Sequence, residues 1–292
     1  MIGKLFHLAH LVDDLDATDR LYDDVFACRR YYRAYEKAAR REASLLIVCD
    51  QCMEPIMPSA APADAGSPLG RFKARFGNRL HSIAWYVDDI GSFTERLLER
   101  QIRLVGLTGR PVTKPEDAVA IWTHPGDTGA LLEFCEAGFA ADPRLDAGWT
   151  TRPWQEHPLG LLRTAWVTVL FDTLDNGERV YGDALAGTLL HTDTADPAAP
   201  RAYWAIGEDT VVEVVAPTDT STPEGRDRAD AGNAVHAITF ATADLERAVA
   251  FLGEHGIATT RTGDADVGVD LDPGHGLNLH LTARTIPGDT RG

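Results

Sequence analysis

Four stretches of the chain repeat one arrangement of apolar and polar positions: a short alternating apolar strand, an acidic or small polar junction, then apolar residues at helical spacing. They run from Phe6 to Phe26, His81 to Ile102, Ala165 to Leu185 and His236 to Ile257. Their junctions are Val12-Asp13-Asp14-Leu15, Val87-Asp88-Asp89-Ile90, Phe171-Asp172-Thr173-Leu174 and Thr242-Ala243-Asp244-Leu245. Between the last residues of these quartets, the first and second units are 75 residues apart and the third and fourth 71, the signature of duplicated units. Leu15, Leu21, Tyr22, Val25 and Phe26 share one helical face, as do Ile90, Phe93, Leu97 and Leu98, and Leu245, Ala248, Val249 and Leu252. Asp14, Asp89 and Asp244 stand where an N-cap accepts the first free backbone amides. Strand-like runs follow each helix: Leu45–Val48, Val119–Trp122, Leu131–Phe134 and Val211–Val215. Each unit therefore reads strand, helix, then several strands.

Residues 137–160 break this rhythm with Ala, Gly, Asp and Pro and no sustained periodicity, as a connection between compact parts does. Two looser stretches, Pro58 to Gly70 and Pro217 to Gly232, occupy matching places within the halves and read as connections.

Composition narrows the class. With 292 residues, 44% hydrophobic, the chain is long enough for one large or two modest self-sufficient domains. Its 28 basic against 44 acidic residues leave a net charge of −16, which argues against nucleic acid and anionic membrane as partners. The longest apolar stretch, Leu161 to Phe171, is interrupted by Arg163 and is far shorter than the roughly 20 residues of a membrane span. The N-terminal residues lack a signal-peptide core, so a cytoplasmic protein is expected. Four cysteines (Cys28, Cys49, Cys52, Cys135) are too few for a disulfide framework. Cys49-x-x-Cys52 lacks a second pair and reads as a hairpin with incidental cysteines.

Metal-ligating residue types recur at matching places. His7 lies on the first opening strand and Glu54 on what should be that unit's last strand; His81 and Glu133 repeat the pair, at separations of 47 and 52 residues. A pseudo-twofold packing of the units would bring two imidazoles and two carboxylates together, a set suited to a divalent transition metal with positions left for water or substrate. His81 stands eight residues before Asp89, whereas His7 stands seven before Asp14; a one-residue shift turns a strand side chain to the other face, and a bulge restores it. His10, at odd spacing from His7, faces away and reads as structural.

With these residues the chain resembles the vicinal oxygen chelate superfamily, which includes glyoxalase I, methylmalonyl-CoA epimerase and the extradiol dioxygenases. The stretch Trp122-Thr123-His124-Pro125-Gly126-Asp127-Thr128-Gly129-Ala130-Leu131-Leu132-Glu133 is similar to the closing hairpin of the epimerases, which usually carry Gln where Glu54 stands. The resemblance implies an α+β fold of four βαβββ modules, paired into two glyoxalase-like domains with open, cupped mixed sheets. It places the first domain at 1–139 (modules about 5–58 and 79–137), a linker at 140–160, the second domain at 161–285 (modules about 161–217 and 234–283) and a tail at 286–292. It also implies that His7, Glu54, His81 and Glu133 hold the metal, expected as Zn, Ni, Co or Mn.

The second half keeps only part of the set. Trp166 takes the place of His7, Glu213 matches Glu54, His236 matches His81, and His280 falls where Glu133 stood. Glu213, His236 and His280 would make a two-His, one-carboxylate site, but the half reads better as a degenerate copy that buttresses the first or covers its cleft. Trp85, Trp122, Tyr203 and Trp204 are candidates for cleft walls or equally for the core.

A metal with open positions can stabilise charge beside a substrate carbonyl while Glu54 and Glu133, facing each other, move a proton as base and acid. The expectation is therefore a metal-dependent isomerase, epimerase or lyase acting on a small metal-chelating substrate, as a monomer or homodimer. An Fe(II) extradiol-type ring-cleaving dioxygenase is the alternative, and a non-catalytic small-molecule binding or resistance protein the third reading.

Overall fold

In a computed structural model every residue is described except 38, 62, 63, 108, 138–140 and 292; the start of the expected linker thus lies outside the described residues. Two mixed sheets result. The first takes β1 (Ile2–Leu11), β2 (Arg29–Glu36), β3 (Arg41–Val48), β4 (Gln51–Pro58), β5 (Leu80–Val87), β6 (Leu104–Gly106), β7 (Pro111–Val112), β8 (Ala120–Thr123) and β9 (Leu131–Glu136), in the order β2-β3-β4-β1-β5-β9-β8-β6-β7. The second takes β10 (Leu161–Leu170), β11 (Thr188–Asp193), β12 (Arg201–Ile206), β13 (Thr210–Val215), β14 (Ala234–Thr242), β15 (Ala258–Arg261), β16 (Asp266–Asp270) and β17 (Leu279–Thr282), in the order β11-β12-β13-β10-β14-β17-β16-β15. In each, the two opening strands pair antiparallel at the centre and each pairs parallel with its own closing strand. This is the pseudo-twofold sheet expected of paired βαβββ modules.

The helices α1 (Leu15–Phe26), α3 (Ile90–Glu99) and α8 (Leu245–Glu254) start at Asp14, Asp89 and Asp244, each accepting an amide hydrogen bond from the third residue on. The third unit departs from the expected amphipathic helix. A short α6 (Leu174–Gly177), capped by Thr173, runs into a π-helical stretch, Glu178–Ala184. Glycine spacing accounts for the tight fit: a Cβ at Gly177 would lie 2.4 Å from Val214, and one at Gly182 2.8 Å from the Trp204 ring.

The stretches read as loose connections contain helices, α2 (Pro68–Phe76) and α7 (Pro223–Ala231). Their signals are local: Ser67 and Thr222 cap the first turn, proline follows at the first helical position, and Gly77 and Gly232 end them at positive φ. The described part of the linker is likewise packed, with a turn at Pro143–Leu145, α5 (Arg152–Glu156), and Trp154 and Leu159 buried.

One apolar core joins the halves. Leu8, Trp85 and Phe134 belong to the same buried cluster as Val167, Phe171 and Val212, and the Trp85 indole donates to Thr210 Oγ1 at 3.0 Å. Polar ties cross the seam reciprocally. Asp50, in the β3–β4 turn, accepts from Thr164 N at 2.7 Å, and Asp209, in the β12–β13 turn, accepts from Leu5 N at 2.9 Å. Of the aromatics read as cleft wall or core, Trp85 and Trp204 lie in this core.

Candidate metal and proton-transfer site

Register decides which side chains meet. His7 pairs with Ala84, Ala84 with Glu133, and Ala9 with Glu54. Directly paired residues share a sheet face, so His7, Glu54 and Glu133 all stand on the concave side. The second half repeats this register: Trp166 pairs with Thr239, Thr239 with His280, and Thr168 with Glu213. The substitutions inferred for the degenerate set therefore fall at corresponding points of the fold.

Bulges supply what strict alternation could not. The β1–β5 pairing slips between Ala9 opposite Ser82 and His10 opposite Leu80, leaving His81 as the extra residue. His236 is left over in the same way between Ala237 and Val235. Such a residue is re-aimed relative to the pleat, which accounts for its off-by-one spacing. A second bulge leaves Phe6 and, equivalently, Ala165 unpaired beside the positions of His7 and Trp166.

The first cup gathers three of the four expected donors. His7 Nε2 lies 3.2 Å from Glu54 Oε2 and 3.4 Å from Glu133 Oε2, with all three side chains at least nine-tenths buried. Neither ring nitrogen of His7 has a hydrogen-bond partner, although both are buried. His81 is partly buried, packs edge-on against Phe72 with centroids 4.7 Å apart, and has Nδ1 3.3 Å from Ser82 Oγ. It makes no ion-pair contact with either glutamate among the described residues. Nor do three or more such side chains form a finished metal cage there.

The donor set nevertheless fits a metal. Ligands about 2.0–2.1 Å from a tetrahedral ion stand about 3.3 Å from one another, the separation found from His7 to each glutamate. A buried imidazole nitrogen without a partner is costly unless something binds it.

Sequence reasoning missed Arg41. Its Nη2 donates to Glu54 Oε1 at 2.8 Å and its Nε to Glu36 at 2.6 Å, leaving Glu54 Oε2 toward His7. The Trp122 indole donates to Glu133 Oε2 at 2.9 Å, placing this one cleft-wall candidate in the site. Burial pushes Glu54 up, and the opposing charges of Arg41 and His7 do not cancel it. Burial also acts on Glu133, but His7, Arg41 and Trp122 outweigh it and hold that carboxyl below its usual range. His7 is lowered by burial, yet the two carboxylates overcome this and raise it. Burial, aided by the charge of Arg41, lowers His81 to about 4.

Two arginine clamps were also missed. Arg144, paired with Asp142 and buried with it, donates to the carbonyl of bulged Phe6 and, at 2.8 Å, to Asp50 O. Arg291, paired with Asp289, donates to the carbonyl of bulged Ala165 at 2.9 Å and to Asp209 O. The signal was in the sequence: each Asp-x-Arg begins nine residues after Glu133 or His280. The segment read as a tail is thus tied to β10.

The second cup is wired differently. Glu213 Oε1 accepts from Tyr203 OH at 2.6 Å and Arg201 Nη1 at 3.0 Å, and its Oε2 from Thr168 Oγ1 at 2.6 Å. Trp166 lies under the Arg284 guanidinium, 4.9 Å from ring centre to Cζ. His236 Nδ1 is 2.6 Å from Asp227 Oδ2, and Asn278 stands between His236 and His280, 3.3 and 3.1 Å from their Nε2 atoms. Glu213, His236 and His280 all line one cavity of about 600 Å³, but each is already engaged by protein groups.

His10 is fully buried on the opposite face, between Tyr22 OH at 3.0 Å and His275 O at 2.7 Å, a structural placement. Cys49 forms the positive-φ corner of the β3–β4 hairpin, and all four cysteines are free. No described helix is long and apolar enough to cross a membrane.

No protein-family model and no curated protein matches the sequence. Solved structures do match. The chain aligns over 98% of its length with 95% of a triple mutant of 4-hydroxymandelate synthase from Streptomyces coelicolor, at TM-score 0.72 and 14% identity. It aligns over 99% of its length with 50% of a xylose isomerase-like TIM barrel/4-hydroxyphenylpyruvate dioxygenase fusion protein, at TM-score 0.60 and 16% identity. Methylmalonyl-CoA epimerase from Mycobacterium tuberculosis matches over 44% of this chain and 89% of its own, at TM-score 0.38 and 20% identity. At these identities the likeness is one of fold.

Proposed function

We propose that this chain, which has the tandem vicinal oxygen chelate fold, is a divalent-metal-dependent enzyme whose first cup moves a proton beside a carbonyl of a small metal-chelating substrate, as an isomerase, epimerase or lyase. The observation that carries the reading is the convergence of Glu54 and Glu133 on the buried His7 Nε2. His7, Glu54 and Glu133 would hold zinc, nickel, cobalt or manganese, with His81 as the remaining donor on its bulge. When bound, such an ion supplies positive charge for the electrons left beside a carbonyl by deprotonation.

The protein's own groups divide the remaining work. Glu54, raised by burial, is suited to hold a proton, and Glu133, held low by His7, to accept one. Arg41 fixes the Glu54 carboxylate through Oε1, and Trp122 fixes that of Glu133 through its indole N–H. Two carboxylates oriented separately on one buried site can deliver and remove protons from different directions. The expected partner is a small molecule rather than nucleic acid or membrane, and the expected setting a cytoplasmic monomer or homodimer.

The dioxygenase reading, with Fe(II), draws on the full-length fold likeness and would use the second cup. The three donors on Glu213 and the indole of Trp166 weigh against it. Elemental analysis of the full chain, purified without air or chelator, tests these readings. About one equivalent of zinc, nickel, cobalt or manganese, lost in His7→Ala, is expected. Iron retained in His7→Ala but lost in His236→Ala moves the site to the second half, and no metal under any loading condition leaves a binding protein. With metal bound, Glu54→Gln and Glu133→Gln should each abolish isotope exchange at the substrate carbon; unchanged exchange in both refutes their role.

A further inference from the structure

The cavity of the second cup carries an arrangement that the first lacks. His236 Nδ1 is 2.6 Å from Asp227 Oδ2, and Asp227 is gripped from the other half of the chain by Arg79, whose Nη1 and Nη2 each lie 3.0 Å from one of its oxygens. A carboxylate held by arginine only accepts, so a proton sits on Nδ1, and in the neutral ring Nε2 carries the lone pair. Among the described residues only the Asn278 amide covers that lone pair, at 3.3 Å, a long hydrogen bond that an entering donor can displace. Asn278 in turn accepts from His280 Nε2 at 3.1 Å, so the donors run in one direction from His280 to Asp227. His236, Asn278 and His280 all face the same cavity of about 600 Å³, within the usual range for small-molecule sites.

The other walls say what enters. Arg201 is neutralised by Glu213 at 3.0 Å and approached by Glu224 at 3.9 Å, while Arg284 is 3.6 Å from Asp266 and stacked on Trp166. With both cations countered and Asp193 and Asp196 also on the wall, the cavity carries surplus negative charge beside an indole, threonine hydroxyls and the Asn278 amide. This disfavours an anion and suits a neutral or cationic hydroxyl- or carbonyl-bearing organic molecule.

We propose that the second cup is a metal-independent acid–base site in which His236, oriented by Asp227 and Arg79, takes a proton from such a molecule. In the step, the substrate O–H or C–H bond breaks, its electron pair stays on the substrate, and the proton bonds to Nε2. The resulting imidazolium is stabilised by the Asp227 carboxylate. This inference is independent of the metal chemistry proposed for the first cup.

Diethyl pyrocarbonate on the full-length protein at neutral pH is the probe: an imidazole lone pair bonds to its carbonyl carbon, ethyl carbonate leaves, and the ring proton is released. Modified histidines are mapped by peptide mass spectrometry, with exposed His255 as the internal standard. The ratio of His236 to His255 modification should fall by about tenfold in Asp227→Asn. It should rise in Asn278→Ala, where the lone pair is uncovered, and be unmoved by zinc or cobalt. An unchanged ratio in Asp227→Asn, or protection of both His236 and His280 by added metal, overturns the proposal. Should Asp227→Asn unfold, all histidines react alike and Asn278→Ala decides, since a ratio that fails to rise there also overturns it.

Discussion

Replacing Arg144 by Met tests whether the buried clamp holds the bulge beside His7. The guanidinium is almost fully enclosed, with 2% of the side chain exposed and 0% of that of Asp142. Its Nε and Nη2 bond the Asp142 carboxylate while Nη1 and Nη2 satisfy the carbonyls of Asp50 and Phe6. Methionine fills comparable space but leaves a buried carboxylate without its cation, and two carbonyls without donors. Removing one partner of a buried pair costs about 3–5 kcal/mol. At roughly 2–4 °C per kcal/mol for a chain of this order of size, the melting temperature should fall by about 10 °C. Urea titration followed by tryptophan fluorescence measures the loss directly. Because the penalty is mostly the stranded charge, Asp142→Leu with Arg144→Met should recover part of it, about 2 kcal/mol, the unsatisfied carbonyls keeping the remainder. A single-variant loss below about 1 kcal/mol, or a double variant no more stable than the single one, refutes this account. Cobalt affinity at the first cup should weaken with Arg144→Met, since the Phe6 bulge sets the position of His7.

Three further outcomes follow from the same structure. Burial lowers His10 from 6.5 to about 4, so the unfolded chain takes up its proton first; stability should be full above 6.5 and fall by about 3 kcal/mol as pH drops toward 4, a slope in the urea midpoint that His10→Asn reduces. His7 is raised, so its charged form stabilises the metal-free protein below 6.5 and that contribution is lost as pH climbs through the raised value; because the ion needs the neutral ring, cobalt or zinc affinity by calorimetry should keep increasing with pH above 6.5, and a pH-independent affinity refutes His7 as ligand. Burial pushes the Cys52 and Cys135 thiols up to about 12, so iodoacetamide at pH 8 should leave both unlabelled in the native protein and label them in urea; fast native labelling of either contradicts the packing.

Much of this molecule was written in local pattern. The four strand-to-helix junctions, the caps at Asp14, Asp89 and Asp244, and the correspondence of Trp166, Glu213, His236 and His280 with the first-half residues are consequences of short-range periodicity and duplication, which a chain carries residue by residue. Even α2 and α7 were legible, as Ser-Pro and Thr-Pro starts followed by glycine stops, once proline is read as a first helical residue rather than as loop. The Asp-x-Arg clamps were legible too, through their common spacing from the closing strands.

What the tertiary structure alone decided is which charges meet. Arg41 on β3 reaches Glu54 on the neighbouring β4, and Arg79 reaches Asp227 from the other half, because sheet register and the seam between halves set those distances. His81 and His236 depend on bulges that periodicity can only permit. The divergence of the two cups arises in the same way. Similar carboxylates at corresponding positions meet one arginine and an imidazole in one cup and three saturating donors in the other, and electrostatics inside a protein depends on the neighbours brought within a few ångströms rather than on residue type.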